Sequence, residues 1–171
     1  MNLNLQLFVF GRTITTRPIT PADEPALLEI YASTRAEELA QVDWSAEQKQ
    51  PFVAQQFAAQ HAHYQQYYPG AAFLLIEVDG VTAGRLYLAH WPRELRIIDI
   101  SLLPEQRNQG LGSAFLRAIL AEGARLGLPV SIHVERFNPA LRLYQRLGFA
   151  IREDKGVYLL MECQPEVIAH A

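Results

Sequence analysis

The heptapeptide QRNQGLG, residues 106–112, places two glycines, Gly110 and Gly112, shortly after Arg107. It lies between a largely apolar run that indicates a buried strand and a run whose apolar residues recur with helical spacing. The first amides of a helix lack intrahelical partners and lie at the positive end of its dipole. Glycines allow a phosphate to approach such amides closely. The pattern predicts a phosphate-binding turn, although a tight strand-to-helix turn without a ligand explains the glycines equally well.

Two common phosphate-binding motifs are excluded by single residues. The P-loop of nucleotide hydrolases requires Lys followed by Ser or Thr after its last glycine, whereas Gly112 is followed by Ser113 and Ala114. A dinucleotide site requires the pattern G-x-G-x-x-G, but position 115 is Phe. The turn therefore belongs to neither class.

A second segment with regular spacing is NPALRLYQRLGF, residues 138–149. It predicts a helix with Asn138 as N-cap, Pro139 in the first position and Gly148 as the stop. One helix, from about Gly112 to Leu126, and one strand separate it from the glycine turn.

Together the two segments resemble the signatures of the GNAT superfamily of N-acyltransferases. SLLPEQRNQGLGSAFL resembles its acyl-CoA signature, R-x-x-G-x-G after a strand and a proline, and NPALRLYQRLGF resembles the second signature. The resemblance covers about residues 12–163. It implies an α/β (α+β) fold: a mixed, mostly antiparallel central sheet with a splayed parallel strand pair and helices on both faces.

The resemblance also implies an activity. We expect an N-acetyltransferase that transfers the acetyl group of acetyl-CoA, as co-substrate and without a metal, to a primary amine of a small molecule or peptide. A catalytically silent regulatory domain that binds acyl-CoA remains an alternative, as does an interaction domain without a coenzyme. Tyr144 fits the active enzyme better than either alternative.

In the family, backbone amides of the glycine turn hold the coenzyme pyrophosphate, and the preceding strand pairs with the pantetheine arm. Asn138 either touches the arm or fixes its own loop as an ordinary cap. The implied coenzyme-binding residues are Leu102, Leu103, Arg107, Asn108, Gln109, Gly110, Leu111, Gly112, Ser113, Asn138 and Tyr144.

Tyr144 is the residue to which the resemblance assigns chemistry, because this tyrosine points at the coenzyme sulfur in the family. A phenol with a pKa of ~10 keeps its proton at neutral pH and can donate it to a leaving thiolate. A helix tyrosine packed in the core is the structural alternative.

Three residues are candidates for the catalytic base that removes a proton from the acceptor ammonium. His133 and Glu135 lie two apart on a predicted strand, so their side chains share a face. Asp99 interrupts the apolar run RIIDISLL, and a charge there is costly unless it has a partner. A structural or surface role remains open for each of them.

Composition limits the remaining possibilities. The chain has 171 residues and a net charge of −3, which fits one domain, 1–171, and does not favour nucleic acid binding. A single cysteine excludes a disulfide framework and fits a reducing, cytoplasmic compartment. The N-terminal MNLNLQLFVFG lacks a basic region and is too short to span a bilayer. We therefore expect no membrane association, and an additional strand or arm at the N-terminus.

Charge patterning bears on the acceptor. Residues 23–47 contain seven acidic side chains and only Arg35 as a base, which suits a cationic acceptor, although a solvated helix surface has the same composition. A homodimer is left open. The predicted order of elements after the N-terminal arm is β-α-α-β-β-β-α-β-α-β-β, with a hairpin at 71–91 and a helix over about 45–67.

Overall fold

Eight strands form one mixed sheet in the computed structural model, which describes residues 4–165. Their spatial order is β1-β2-β3-β4-β5-β6-β8-β7, and all neighbours are antiparallel except β5 and β6. The strands are β1 (Gln6–Val9), β2 (Arg12–Pro18), β3 (Ala72–Val78), β4 (Val81–Trp91), β5 (Glu94–Leu102), β6 (Val130–Glu135), β7 (Ala150–Asp154) and β8 (Tyr158–Cys163).

Within residues 4–165 the sheet is joined by four longer helices, and local capping explains where two of them begin. Ser45 caps the second helix, since its hydroxyl accepts from the amide of Gln48 while the Gln48 side chain accepts from the amide of Ser45. Gly110, in the left-handed conformation, precedes the third. The helices are α1 (Glu24–Ala40), α2 (Ala46–Tyr67), α3 (Leu111–Leu126) and α4 (Leu141–Arg146).

The helices form a layer on each face of the sheet. On one face, α3 and α4 cover the larger apolar cluster, which contains Phe115 and Ile119. On the other face, α1 and α2 pack around Leu75 through Leu27 and Phe57. The fold class and the element order predicted from the sequence are confirmed, and the N-terminal arm is β1, an added edge strand.

A β-bulge in β5 shapes the centre of the sheet. Tyr87 pairs with Asp99 and Leu88 with Ile97, so that Ile98 is an extra residue opposite β4. The parallel pairing of β5 with β6 reaches only Ile97, although both strands continue beyond it. This is the splayed strand pair that the family resemblance implies, and it leaves a gap between the carboxyl halves of β5 and β6.

The prediction that Asn138 is the N-cap of a helix is wrong, because α4 begins three residues later, at Leu141. The side-chain carbonyl of Asn138 instead accepts from the amide of Ala140 at 2.8 Å, and its backbone carbonyl accepts from Leu141 at 3.0 Å. Asn138 thus stabilises a turn that leads into the helix.

Candidate active site

The glycine turn offers three backbone amides at the start of α3. The amide of Ala114 donates to the carbonyl of Gly110, so the amides of Leu111, Gly112 and Ser113 precede the first intrahelical bond. No acidic residue lies in this first turn. The amides therefore face a site that suits an anion.

A glycine is present at positions 110 and 112 for different reasons. Gly110 has a φ of 80°, which L side chains rarely adopt, so the turn itself requires it. Gly112 shows no such constraint, and a Cβ added there would meet nothing within 4 Å. The fold does not need a glycine at 112, whereas a ligand that approaches the amides closely does. The alternative of a purely structural turn explains only the first glycine.

The polar side chains of the glycine turn mainly form hydrogen bonds that stabilise the turn itself. The guanidinium of Arg107 donates to the carbonyl of Leu102 at 2.9 Å and to the hydroxyl of Ser33 at 3.3 Å. Gln109 donates to the carbonyl of Glu105 at 2.7 Å. Asn108 adopts a left-handed φ of 59°. These contacts hold the turn in place, and its first amides remain the candidate groups for an anion.

The open edge of β5 is formed by Ile100 and Leu102. The amide of Leu103 donates to the carbonyl of Ala83 in β4, and the carbonyl of Leu103 accepts from the amide of Gln106. Because alternate residues of a strand direct their backbone groups to opposite sides, Leu102 and Ile100 face the gap. Contrary to the expectation from the sequence, both backbone groups of Leu103 are engaged within the protein. Ile100, which sequence reasoning missed, lies on the gap side instead.

Asp99 lies beside the bulge and is paired with a buried arginine. One carboxylate oxygen accepts from Arg85 at 2.8 Å, and the other accepts from the hydroxyl of Ser101 at 2.7 Å. The side chain of Arg85 is 2% exposed, and that of Asp99 is 14% exposed. Gln60 of α2 also accepts from Arg85 at 2.8 Å. The charge that interrupts the apolar strand therefore has the partner it needs.

Two tyrosines enclose this ion pair. The ring of Tyr87 lies 5.0 Å from the guanidinium carbon of Arg85, and Tyr64 of α2 meets Tyr87 edge to face. Burial raises the pKa of both phenols, and the negative charge of Asp99 adds to the effect. The hydroxyl of Tyr87 has no partner among residues 4–165. Arg85 and Tyr87 were not singled out from the sequence, although Arg85 is a lone charge in an apolar strand, as Asp99 is.

Tyr144 approaches from the opposite face of the sheet. It extends from α4, is 6% exposed and packs edge to face on Phe149 at 5.7 Å. Burial, and then the field of Asp99, raise the pKa of Tyr144 to about 12. Tyr144 belongs to the apolar cluster under α3, whereas Asp99 lies on the other face of the sheet with Arg85.

His133 is the first residue of β6 beyond the last parallel pair, and Glu135 shares its exposed face, as predicted. Nδ1 of His133 lies 3.2 Å from Arg96, and Nε2 lies 3.2 Å from Lys155. Burial and then these two cations lower the pKa of His133, so the imidazole is neutral at neutral pH. The structure thus places Asp99, His133 and Glu135 on the face covered by α1 and α2.

Among residues 4–165, no three His, Cys, Asp or Glu residues lie close enough together to hold a metal ion. No helix there has the length and apolar character needed to cross a membrane.

The sequence of residues 34–149 matches the model of the acetyltransferase (GNAT) family. The chain belongs to the GNAT family. None of the curated proteins matches it significantly.

Solved structures with the same GNAT fold include the PaiA N-acetyltransferase of Thermoplasma acidophilum in complex with coenzyme A. It is 18% identical, has a TM-score of 0.67, and the alignment covers 88% of this chain and 98% of that one. The ribosomal-protein-S18-alanine N-acetyltransferase of Escherichia coli is 19% identical with a TM-score of 0.61, over 88% and 93% of the two chains. An uncharacterised protein of Bacillus halodurans is 18% identical with a TM-score of 0.69, over 98% and 93%. At these identities the similarity shows the fold.

The Arg85–Asp99 pair generates a stability prediction. Arg85→Leu leaves a largely buried carboxylate without its partner, and we expect the free energy of unfolding to fall by about 3–5 kcal/mol. The double variant Arg85→Leu with Asp99→Leu removes both charges and should recover part of this loss. Urea unfolding of the wild type, both single variants and the double variant measures the coupling. If the losses of unfolding free energy in the two single variants simply add up in the double variant, a direct interaction between the two side chains is contradicted.

Proposed function

We propose that the protein is an N-acetyltransferase that transfers the acetyl group of acetyl-CoA to a primary amine of a small molecule or peptide. One observation carries the proposal. β5 separates from β6 after Ile97, and Asp99 lies beside this gap on the face under α1 and α2, just before the glycine turn. Tyr144 belongs to the apolar cluster on the opposite face, and the charge of Asp99 acts on its pKa. A coenzyme in the gap would have an acceptor side and a leaving-group side.

The residues of the gap fit the parts of coenzyme A. The amides of Leu111, Gly112 and Ser113 would hold the pyrophosphate, and the space beside Gly112 admits it. The open backbone of Ile100 and the amide of Leu102 would accompany the pantetheine arm. Asn138 would fix the loop beside the arm, since its side chain already binds the amide of Ala140.

On the acceptor side, an alkyl ammonium with a pKa of ~10 must lose a proton before it can attack the thioester. Asp99 is the residue we assign to receive and orient the amine, because its carboxylate is fixed by Arg85 and Ser101 at the gap. His133 is neutral at neutral pH and, with Glu135, lies on the same face of the sheet. These two side chains are the candidates that accept the proton as it leaves the site.

On the leaving-group side, Tyr144 would donate a hydrogen bond to the sulfur. Its pKa of about 12 keeps the phenol protonated throughout the neutral range. Complete transfer to a thiolate whose conjugate pKa is ~8.5 would be uphill by ~5 kcal/mol, at 1.36 kcal/mol for each pKa unit. Tyr144 therefore acts mainly by stabilising the thiolate. The amine nitrogen, which becomes positively charged when it attacks the thioester, is the better source of the proton.

We also propose that the acceptor is cationic. The acidic surface of the protein that would face it is smaller than the sequence indicates. Asp23 is held by Arg17 at 2.8 Å, and Glu38 lies 3.2 Å from Arg35, so neither charge is available. Glu37, Asp43 and Glu47 are exposed around the connection between α1 and α2. These helices cover the face that carries Asp99.

The proposed activity is tested with the purified protein, acetyl-CoA and a panel of amines, by following the release of free thiol. We expect release that depends on the amine, with polyamines, amino acids and peptides as separate arms. Binding of acetyl-CoA without thiol release from any arm would favour the regulatory domain instead. A lack of acetyl-CoA binding would contradict both interpretations.

The glycine turn generates a binding prediction. Gly112→Glu places a carboxylate in the open space beside the amides, and we expect acetyl-CoA affinity to fall by at least 10-fold through repulsion of the pyrophosphate. The helix itself should tolerate the change, because an acidic side chain in a first turn interacts favourably with the helix dipole. Gly112→Gln is the matched control, since it adds similar bulk without charge and should weaken binding less. If calorimetric titration gives Gly112→Glu and the wild type the same affinity for acetyl-CoA, the pyrophosphate does not bind at this turn.

Tyr144 generates a kinetic prediction. Tyr144→Phe keeps the ring on Phe149 but removes the donor, and kcat should fall by about 10²–10³-fold, the usual cost of losing one hydrogen bond that stabilises developing negative charge. The Kd for acetyl-CoA should change little, because the proposed coenzyme contacts are made by the backbone. Stopped assays for kcat, titration for Kd and a melting temperature on one preparation separate these effects. A folded variant with the wild-type kcat would leave Tyr144 as a core residue only.

A further inference from the structure

A cavity of about 460 Å³ lies between the glycine turn and the hairpin formed by β1 and β2. The hairpin contributes Val9, Phe10 and Arg12 to its lining, and the turn contributes residues 108–111. The volume is within the range of pockets that hold small ligands. Because Gly110 and Leu111 line the cavity and also begin the proposed pyrophosphate site, the two spaces are continuous.

Phe10 lines this cavity in a backbone conformation whose cost the fold does not explain. It is 89% exposed, so it buries almost no apolar surface. It also has a φ of 49°, followed by Gly11 at 76°, in a two-residue hairpin turn that ordinarily favours Asn or Asp before Gly. The ring nevertheless lies against the glycine turn, since a Cβ on Gly110 would be 3.2 Å from its edge.

Arg12 provides a positive charge at the same place. Its guanidinium donates to the side-chain carbonyls of Gln106, at 3.1 Å, and of Gln109. Both partners are neutral, and the carboxylate recorded near Arg12, on the exposed Asp79, lies 4.0 Å away. The charge is therefore directed at the glycine turn with little compensation.

We propose that the β1–β2 hairpin is a binding site for the nucleotide end of coenzyme A, in which Phe10 stacks on the adenine and Arg12 pairs with the 3′-phosphate of the nucleotide. The inference rests on the proposed function, since it extends the same coenzyme site. An aromatic ring and a guanidinium are the side chains that recognise a base and a phosphate. Both residues precede 34–149, the region that matches the family model, so that match assigns them no role.

The test compares two probes, coenzyme A and 4′-phosphopantetheine, which retains the arm and one phosphate but lacks the nucleotide. Phe10→Asn creates an Asn-Gly turn, which the hairpin favours, so the melting temperature should stay the same or rise. The affinity for coenzyme A should nevertheless fall about 10-fold, as expected for one lost base-stacking contact. The affinity for 4′-phosphopantetheine should not change.

Arg12→Gln should also weaken coenzyme A binding while the affinity for 4′-phosphopantetheine is retained. Two matched controls are available. Phe8→Ala removes an exposed phenylalanine of the same hairpin that does not line the cavity, and Arg93→Gln removes an exposed arginine at the β4–β5 turn. Neither control should alter the affinity for either probe.

The test separates failure of the hairpin site from failure of the proposed function. Wild-type affinity of Phe10→Asn and Arg12→Gln for coenzyme A would overturn the hairpin site and leave the proposed acetyltransferase intact. Equal losses for both probes would also overturn it, because the hairpin would then act on the glycine turn rather than on the nucleotide. A wild-type protein that binds neither probe would contradict the proposed function together with this site.

Discussion

The single extra residue at Ile98 determines the arrangement of the site. Before the bulge, Glu94 and Arg96 direct their side chains to the face covered by α2. An uninterrupted strand would continue this alternation and turn Asp99 into the apolar cluster under α3. The bulge reverses the phase, so that Asp99 meets Arg85, and the same irregularity bends β5 away from β6. The buried ion pair and the gap therefore have one common cause.

The electrostatics on the two faces of the sheet keep two titratable side chains neutral by different physical causes. On the side of α4, burial disfavours the phenolate of Tyr144, and the nearby carboxylate strengthens that preference. On the other side, burial and two cations disfavour the imidazolium of His133. The phenol of Tyr144 thus keeps its proton, and the imidazole of His133 stays uncharged, at neutral pH.

Most of the fold could be predicted because its signals are local. Asp79 and Gly80 have the positive φ values that a tight hairpin needs, and Ser45 caps its helix as its position in the sequence indicates. The partner of Asp99 was missed because it depends on the bulge phase and on pairing across 14 residues. The assignment of Leu103 to the open edge failed for the same reason, since only the register shows that Ile100 lies there. The start of α4 was misplaced because an Asx-type turn and an N-cap use the same residue types.

The last strands of the sheet carry a consequence for behaviour at high concentration. β7 is an outer edge whose five residues are all exposed, and an extra residue at Arg152 interrupts its register with β8. Arg152, Glu153 and Asp154 add charges along this edge. A regular, apolar edge would offer a template on which another chain could add a strand, whereas a kinked and charged one does not. The sheet can thus remain open at β7 while resisting growth into larger cross-strand aggregates.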